Sequence, residues 1–362
     1  MKCTIQNIAD HLGLSRNTVS KALKNSSEVS ENTRNLVIKT ASKLGYKNAT
    51  FATPVIPASE TGSNGTILFL TRTYASDSEF WTTVLRGIES ILSNANYHLA
   101  ISIMSDSDLK QLNFPQTISD SSIKGIILVE ICDKVVCDAL SQFNLPIVSV
   151  DMPNVPFEEL NGIDVVTMES KKNLKKIINQ LIEKGAESFG FVGDLYSPNV
   201  SRGFQERYNA LSECLAEHQL PLNQKNCLLH QTPEDFRNFQ TTVNNLQAMI
   251  SLPDVFICGN DWTAIQLIYA LQFLGFQIPK DICVVGFDNI PAASRISPSL
   301  TTISTPQKYL GIAAARQILE RIQHPNCPHV FCQYETELII RNSTNITSVS
   351  YTHLRAHETD SY

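Results

Sequence analysis

The sequence lacks long hydrophobic runs. No stretch of about 18 consecutive apolar residues, the length that a membrane-spanning helix needs, occurs in it. The first ten residues, MKCTIQNIAD, also lack the apolar segment of a secretory signal, so we expect a cytoplasmic protein. Hydrophobic residues still make up 43% of the 362 residues, which is enough for more than one packed core. The length predicts two or three domains.

The common motifs of nucleotide and metal chemistry are also missing. Neither GxGxxG nor GxxxxGK followed by Ser or Thr occurs, which argues against dinucleotide chemistry and nucleotide hydrolysis. The nine cysteines include no Cys-x-x-Cys pair, and no His, Cys and Asp grouping has zinc-ligand spacing. We therefore expect reduced, mostly buried thiols, no bound metal and no cofactor.

Positive charge is scarce in the chain as a whole, whose net charge of −6 by itself argues against a nucleic-acid partner. The distribution of charge reverses this conclusion. Residues 1–50 hold eight Lys and Arg against three Asp and Glu, an excess of five positive charges. The remaining residues therefore carry a net charge of −11. A small basic segment joined to an acidic body indicates that a polyanion would bind to the first 50 residues.

The basic segment predicts a helix-turn-helix. Apolar residues recur at helical spacing in three short stretches, so each predicted helix has one face to bury. Thr4, Ser15 and Ser30 precede these stretches, and Ser and Thr commonly cap helix N-termini. Gly13 lies at the turn between the first two helices, and Gly45 follows the third. A module of this size is too small for catalysis but fits a DNA major groove.

The second helix carries the candidate base-reading side chains. With Val19 and Ala22 facing inward, its polar side chains face outward. Arg and Lys can donate hydrogen bonds to guanine and Asn can pair with adenine, whereas shorter hydroxyl and amide groups suit phosphate oxygens. The predicted DNA-binding residues are Thr4, Ser15, Arg16, Asn17, Thr18, Ser20, Lys21, Asn25 and Thr33. One basic helix alone is often only solvated surface, but the three-helix unit with its charge excess favours DNA.

These residues resemble a known family of regulators. The stretch IADHLGLSRNTVSKALKN, followed by VSENTRNLVIKTASKLGY, resembles the DNA-binding head of the lac-repressor (LacI/GalR) family of bacterial regulators. In that family the second helix reads bases at positions that correspond to Arg16, Asn17 and Lys21. The resemblance therefore implies a sequence-specific DNA-binding protein.

The segment after the head departs from the family pattern. In the family this segment folds into a short helix on DNA, and a Leu in it wedges into the minor groove. Here Val55 stands in the place of that Leu. Pro54 precedes it, and a proline disfavours a helix interior. We expect minor-groove wedging to be weak or absent.

From Thr66 onward, short apolar strands alternate with amphipathic helices. Such alternation predicts parallel sheets covered by helices on both faces, with ligands bound beyond the carboxyl ends of the strands. The predicted strands are 66–71, 98–104, 125–130, 147–150, 188–192, 255–258, 282–287 and a final strand at 335–341. The predicted helices include 79–95, 170–184, 204–218 and 262–274.

The family resemblance continues through this body. Its most specific matches are PxDIxVVGFDN from residue 279 and PxLTT from residue 298. The resemblance implies an α/β fold like that of periplasmic sugar-binding proteins, with two lobes, three crossings between them and a small-molecule site in the cleft. It places the effector-binding residues at Trp81, Asp151, Arg207, Phe236, Asn260 and Asp288.

Each of these side chains suits a small polar ligand. The Arg, Asp and Asn side chains can form paired hydrogen bonds to hydroxyls or ring nitrogens, and the aromatic rings can stack on a sugar or a base. Core packing for Trp81 and Phe236, and a structural salt bridge for Arg207 and Asp288, remain open alternatives.

The chain is therefore expected to contain a helix-turn-helix domain at 1–47, a degenerate hinge at 48–65 and a two-lobed effector-binding and dimerisation domain at 66–347. Residues 348–362 resemble nothing in the family. We expect this tail to be foreign to the fold and disordered.

The predicted function is that of a ligand-responsive transcriptional regulator, and repressors are the commonest members of the family. It would bind a near-palindromic operator as a homodimer, under the control of a small molecule in the cleft, with a sugar favoured over a nucleobase. One alternative is a solute-binding protein without a DNA role. Another is a cleft enzyme such as a glycosidase, which would use Asp151 and Asp288 as a carboxylate pair. No nucleophile or metal set in the sequence supports the enzyme, so we expect no catalysis.

Overall fold

The computed structural model describes residues 4–23, 29–30, 33–34, 36–37, 40–41, 63–72, 78–195, 201–230 and 238–345. The chain divides into two compact units, residues 1–62 and residues 63–362. Within the described ranges, no helix is long and apolar enough to span a membrane. The expectations for Asn25, for Phe236, for the hinge around Pro54 and for the tail from residue 348 fall outside the described residues.

The first unit contains, in its described residues, the helices α1 (Ile5–Leu12) and α2 (Arg16–Leu23), with further helical residues at 33–34, 36–37 and 40–41. Thr4 caps α1, and its Oγ1 accepts a hydrogen bond from the Asn7 N–H (3.3 Å). Gly13 ends α1 with a φ of 64°, a left-handed conformation that glycine adopts without steric penalty. In the described part of this unit, the buried core contains Ile8, Ala9, Val19, Ala22, Val29, Val37 and Ala41.

The second unit contains two sheets and the helices that cover them. Its described strands are β1 (Thr66–Arg72), β2 (His98–Met104), β3 (Ile123–Val129), β4 (Ile147–Val150), β5 (Ile163–Met168), β6 (Phe189–Asp194), β7 (Leu228–His230), β8 (Val255–Cys258), β9 (Cys283–Asp288), β10 (Thr301–Ser304), β11 (Phe331–Tyr334) and β12 (Glu337–Ile339). Its described α-helices are α3 (Glu79–Asn94), α4 (Asp106–Gln111), α5 (Lys134–Ser141), α6 (Lys172–Glu183), α7 (Arg202–Glu217), α8 (Phe239–Ala248), α9 (Asp261–Phe273) and α10 (Gln307–Gln323).

The two sheets define two lobes. The first lobe has the strand order β11-β5-β4-β3-β1-β2, all parallel, and is covered by α3, α4, α5 and α10. The second lobe has the order β12-β10-β9-β8-β6-β7, parallel except for β12, and is covered by α6 to α9. The prediction of an α/β body with parallel sheets in two lobes is confirmed.

The chain passes between the lobes at residues 169–171, 305–306 and 335–336. The last crossing corrects one prediction, because a single final strand at 335–341 is wrong. The chain instead forms β11, which pairs with β5 in the first lobe, and then β12, which pairs with β10 in the second lobe. The other predicted strands and helices agree with the observed bounds to within two residues.

Helices α3 and α10 pack closely in the first lobe because each has a glycine at the contact. Gly87 of α3 lies against the backbone of Lys308, and Gly311 of α10 lies against the backbone of Val84. A Cβ atom at either glycine would collide with the opposite backbone. This contact holds α10 against the first lobe. In sequence, α10 follows β6 to β10 of the second lobe.

A buried ion pair also holds α10 in place. Arg321 of α10 donates two hydrogen bonds to Asp164 of β5 (Nε to Oδ2 3.0 Å, Nη2 to Oδ1 2.8 Å), and both side chains are buried. Gln317 Nε2 and the Val330 N–H also donate to the Asp164 carboxylate, at 3.1 and 2.8 Å. Burial by itself would raise the pKa of Asp164, but these hydrogen bonds, above all the one from Arg321, hold the pKa below its usual value.

Candidate functional site

Helix α2 presents the side chains that the sequence predicts to read bases. The apolar face of the helix is buried in the core of the first unit. Arg16 and Asn17 are consequently exposed, whereas Ser20 and Lys21 are half-buried beside that face. An exposed guanidinium and an exposed carboxamide in the first turn of a helix can donate to and accept from base edges in a major groove.

Of the predicted phosphate-binding residues, Thr4, Ser15 and Thr18 lie at helix N-termini, whereas Ser20 lies in the middle of α2. Thr4 is the N-cap of α1. Ser15 Oγ accepts a hydrogen bond from the Thr18 N–H (3.0 Å), and Ser30 Oγ accepts one from the Thr33 N–H (3.4 Å). The first N–H groups of a helix and its positive dipole end favour a phosphate oxygen. Thr4 Oγ1 and Ser15 Oγ each accept a helix N–H group, and phosphate binding at these residues stays a prediction.

In the second unit, Arg207 of α7 is a buried, immobilised cation. Its guanidinium carbon lies 3.7 Å from the centre of the Phe287 ring and 5.0 Å from that of Phe204. Its Nη1 donates a hydrogen bond of 2.6 Å to the Gly259 carbonyl. Burial lowers the pKa of Arg207, and the nearby carboxylates, Asp288 first among them, oppose this shift. Its Nε is buried and has no hydrogen-bond partner among the described residues.

Each lobe supplies one carboxylate to the surroundings of Arg207. Asp288 ends β9 in the second lobe, and Asp151 follows β4 in the first lobe. Burial raises the pKa of Asp288 well above its usual value, and burial also raises the pKa of Asp151; in both cases the positive charge of Arg207 opposes the rise. The three predicted residues therefore form one electrostatic group, here called the Arg207 group, where the lobes meet.

The backbone around both carboxylates is held in uncommon conformations. Asp151 has a φ of 71° and Asp288 a φ of 115°, in the region that favours glycine. The carbonyl of Asp288 accepts hydrogen bonds from Thr305 Oγ1 (3.2 Å), at the second crossing, and from Gln307 Nε2 (2.7 Å), at the start of α10. Ser149 Oγ donates to the Asp151 carbonyl at 2.6 Å. These contacts hold the backbone at both residues, and the Met152 N–H donates to the Asp151 carboxylate (2.8 Å).

The other predicted effector residues have mixed surroundings. Asn260 directly follows Gly259, whose carbonyl binds Arg207, and its Oδ1 caps α9 by accepting from the Thr263 N–H (2.9 Å). Trp81 of α3 is half-buried, contacts the ring of Phe80 edge-on at 4.5 Å and packs against the apolar core. Asn260 thus lies beside the Arg207 group, whereas the contacts that the structure shows for Trp81 are with core residues.

Asp261 supports the site, and sequence reasoning missed it. It is fully buried, and its carboxylate accepts hydrogen bonds from Thr302 Oγ1 (2.5 Å) and the Ile290 N–H (2.9 Å). Thr302 Oγ1 in turn accepts from the Asn289 N–H (3.3 Å), so the turn after Asp288 is tied to β10. An acidic residue in the first turn of a helix normally indicates an exposed position, so this pattern did not indicate a buried role.

Replacing Asp261 with Asn should reduce the pH dependence of stability. Burial raises the pKa of Asp261 to about 7, above the value of about 3.9 in an unfolded chain. Its contribution to stability is therefore present at acid pH and lost as the pH rises from about 4 to about 7. Thermal melts from pH 5 to 8 should show a smaller decline for Asp261→Asn than for the wild type. Asp281→Asn, a substitution of an exposed acid, is the control; identical profiles for all three proteins would contradict the prediction.

Among the described residues, no group of three or more His, Cys, Asp or Glu side chains is arranged to hold a metal ion. Among the described residues, the acidic groups that act on the Arg207 guanidinium are Asp288, Asp151, Glu206 and Asp261, in decreasing order of their effect on its pKa. Such a set binds and orients neutral polar groups through hydrogen bonds.

The chain matches two described protein families. Residues 4–48 match the bacterial regulatory proteins of the lacI family, and residues 178–344 match the periplasmic binding protein-like domain. The first match covers α1 and α2 with the exposed Arg16 and Asn17. The second covers most of the second lobe, including Arg207 and Asp288.

Known relatives align with nearly the whole chain. The HTH-type transcriptional repressor PurR of Photobacterium profundum is 26% identical over 345 residues, which cover 94% of this chain and 98% of the relative. The ribose operon repressor of Haemophilus influenzae is 27% identical over 344 residues, with the same two coverages. The solved structure of the lac repressor dimer bound to operator and the anti-inducer ONPF has a TM-score of 0.64 and 20% identity, over 95% of this chain and 99% of that one.

Proposed function

This chain belongs to the LacI family of bacterial regulatory proteins, and we propose that it is a transcriptional repressor whose DNA binding responds to a small molecule held by the Arg207 group. The observation that carries the proposal is the presence, in one chain, of a DNA-reading helix and a buried cation flanked by carboxylates. A solute-binding protein would have no use for the helix-turn-helix. The relatives with full-length similarity include the PurR and ribose operon repressors, which argues against an enzyme.

The chemistry of the Arg207 group favours a neutral sugar as the effector. Asp151 and Asp288 can each accept hydrogen bonds from hydroxyls, and Arg207 can donate to hydroxyl or ring oxygens. An anionic effector, such as a sugar phosphate, would bring a further negative charge into a buried site that already holds several acidic groups, which is unfavourable. The name of the ribose operon repressor agrees with a sugar.

The contacts between the lobes provide a route from effector to DNA. The Arg202 N–H donates to the Met152 carbonyl (2.9 Å), and Pro153 forms an isolated antiparallel bridge with Ser201. An effector that binds both Asp151 and Arg207 would stabilise this contact between the lobes, since the two residues belong to different lobes. A differential affinity for two lobe arrangements of about 1–3 kcal/mol is enough for regulation. The proposed site of action is the cytoplasm, where the operator lies.

Exposed apolar side chains in the second unit support a homodimer. Ile101 and Ile103 on the edge strand β2 are each about half exposed. Tyr269 and Phe273 lie one turn apart on α9 and are also exposed, and the Phe273 ring contacts that of Phe239 at 5.8 Å. Such side chains commonly mark protein interfaces. A dimer would present two copies of α2 to the half-sites of a near-palindromic operator.

Replacing Arg16 with Ala should weaken binding to the preferred duplex by about 1–3 kcal/mol, because one bidentate base contact of the exposed guanidinium is lost. The duplex is found by selection from random oligonucleotides at low salt, and affinity is measured by fluorescence anisotropy. Lys172→Ala, which removes one exposed positive charge from the second unit, should bind like the wild type. If the wild type selects no duplex, with or without candidate sugars, the proposed function is wrong.

A further inference from the structure

An apolar groove of about 480 Å³ lies at the end of the second lobe where α8 and α9 end. We call it the Ile250 groove. Asp254 precedes β8 and Ile282 precedes β9, so the groove lies at the amino ends of these strands, whereas the Arg207 group lies at their carboxyl ends. A molecule in the groove would therefore leave the proposed effector site free. Its apolar lining contains, among the described residues, Leu246, Met249, Ile250, Leu252, Pro253, Leu274, Phe276 and Ile282.

The side chain of Ile250 stands out from the rim of this groove. It is 95% exposed, more than any other large apolar side chain in the described ranges. Single exposed apolar side chains are common, but Ile250 borders a groove whose lining is itself apolar, so that the two form one surface. A small molecule inside the groove would leave Ile250 in water. An occupant that buries the whole surface is therefore a macromolecule, which covers the rim as well as the groove.

The charges around the groove are negative. The charged residues that line it are, in the described part of the chain, Asp254 and Asp281. Asp254 Oδ2 accepts from the Ser188 N–H (2.8 Å) and Asp281 Oδ2 from the Gln277 N–H (2.7 Å), which holds both carboxylates in place. Helices α8 and α9 also end here without a basic residue in the last turn, and the last carbonyl groups of a helix carry partial negative charge. The groove therefore complements a partner whose apolar surface is flanked by positive charge.

The position of the groove in the sheet determines the backbone conformation of that partner. Strands β8 and β9 are interior in the order β12-β10-β9-β8-β6-β7, so both edges of each strand are already paired. An extended segment consequently has no free strand edge to pair with at this place. A segment that covers an apolar groove must then satisfy its own backbone hydrogen bonds, as an α-helix does. An amphipathic helix with apolar side chains on one face fits this requirement.

Two other macromolecular occupants are disfavoured by charge. In a twofold contact between copies of this chain the same residues meet across the axis, so the carboxylates of one groove would face those of the other. An anionic membrane surface would be repelled for the same reason. The remaining occupant is a cationic helix of another protein.

We propose that the Ile250 groove is a docking site for a basic amphipathic helix of a partner protein, with Ile250 as its outermost apolar contact and Asp254 and Asp281 as its charged rim. This surface takes no part in the proposed binding of operator or effector. The docking site and the repressor function can therefore be tested independently of each other.

The experiment measures binding of a synthetic helix to the full-length protein. The probe is a fluorescein-labelled peptide with leucines on one helical face and lysines on the other, and its anisotropy is followed without DNA or sugar. Two control peptides have the same length, one with glutamate in place of every lysine and one with a central proline that breaks the helix. The wild type should bind the lysine peptide and neither control peptide, and rising salt should weaken this binding.

Variants of the groove show where the peptide binds. Ile250→Ser changes a side chain that the fold leaves exposed, so the melting temperature should not change, but the Kd of the lysine peptide should rise about tenfold. Asp281→Asn removes one rim charge and should raise the Kd about two- to fivefold. Val135→Ser, which replaces a 62% exposed side chain on α5, and Glu89→Gln, which neutralises an exposed acid on α3, are the matched controls. Both controls should bind the peptide like the wild type.

Four results would overturn the proposal. The first two are no binding of the lysine peptide by the wild type and equal binding of the lysine and glutamate peptides. The third is an unchanged Kd in both Ile250→Ser and Asp281→Asn, which would place the peptide elsewhere. The fourth is sedimentation of the wild type as a species larger than a dimer that Ile250→Ser converts to a dimer, since a second copy of the chain would then cover the groove. None of these results changes the expectation for operator binding.

Discussion

Arg321→Ala is expected to reduce the free energy of unfolding of the second unit by about 3–5 kcal/mol, the largest effect on stability that we predict. The substitution leaves the fully buried Asp164 carboxylate without the guanidinium that donates two hydrogen bonds to it. The exposed ion pair between Lys172 and Glu335 is the control, and Lys172→Ala should lower stability by less than about 1 kcal/mol. Urea unfolding followed by circular dichroism at pH 7 measures both.

The pH dependence of this effect has a definite sign. The folded chain holds the pKa of Asp164 below its usual value. The ion pair therefore contributes its full stabilisation above about pH 4, the unfolded pKa, and loses it as the pH falls through the folded pKa. The difference between the wild type and Arg321→Ala should shrink in acid. A difference below about 1 kcal/mol at pH 7 would contradict the assignment of Asp164 and Arg321 as a stabilising pair.

Arg207→Ala should abolish the response to the effector while leaving DNA binding intact. Losing a buried, charge-assisted hydrogen-bond donor costs about 2–5 kcal/mol, a decrease in affinity of at least about 30-fold. The fork geometry of the guanidinium matters as well as its charge, so Arg207→Lys should recover little. The measurement is release of labelled operator DNA on titration with the sugar found by screening.

The control for Arg207 is Arg86, an exposed arginine on α3. Arg86→Ala removes the same charge from the second unit and should respond to the effector like the wild type. A normal response of Arg207→Ala would remove Arg207 from the effector site and favour a purely structural role for it.

The sequence predicted the fold well where the signals are local. The alternation of apolar strands and amphipathic helices located β1 to β4 and α3 to within two residues. It missed β5, where Asp164 interrupts the apolar pattern. That aspartate is buried only because Arg321 reaches it from a helix more than 150 residues later, and no local pattern carries such information.

The family resemblance predicted some residues of the site but not all of them. The resemblance supplied Asp151, Arg207 and Asp288, which the structure brings together. It did not supply Asp261, because an acid in the first turn of a helix usually faces solvent. The roles of these residues depend on contacts between segments far apart in the chain.

Because α10 packs in the first lobe but lies late in the sequence, the first lobe cannot be completed until most of the chain has been translated. Synthesis runs from the N-terminus, so the helix-turn-helix emerges first, with a core of its own. The first lobe, however, lacks α10 and β11 until residues 307–334 have been translated. A chain whose translation stops before that point would have a finished DNA-reading module without a finished sensor.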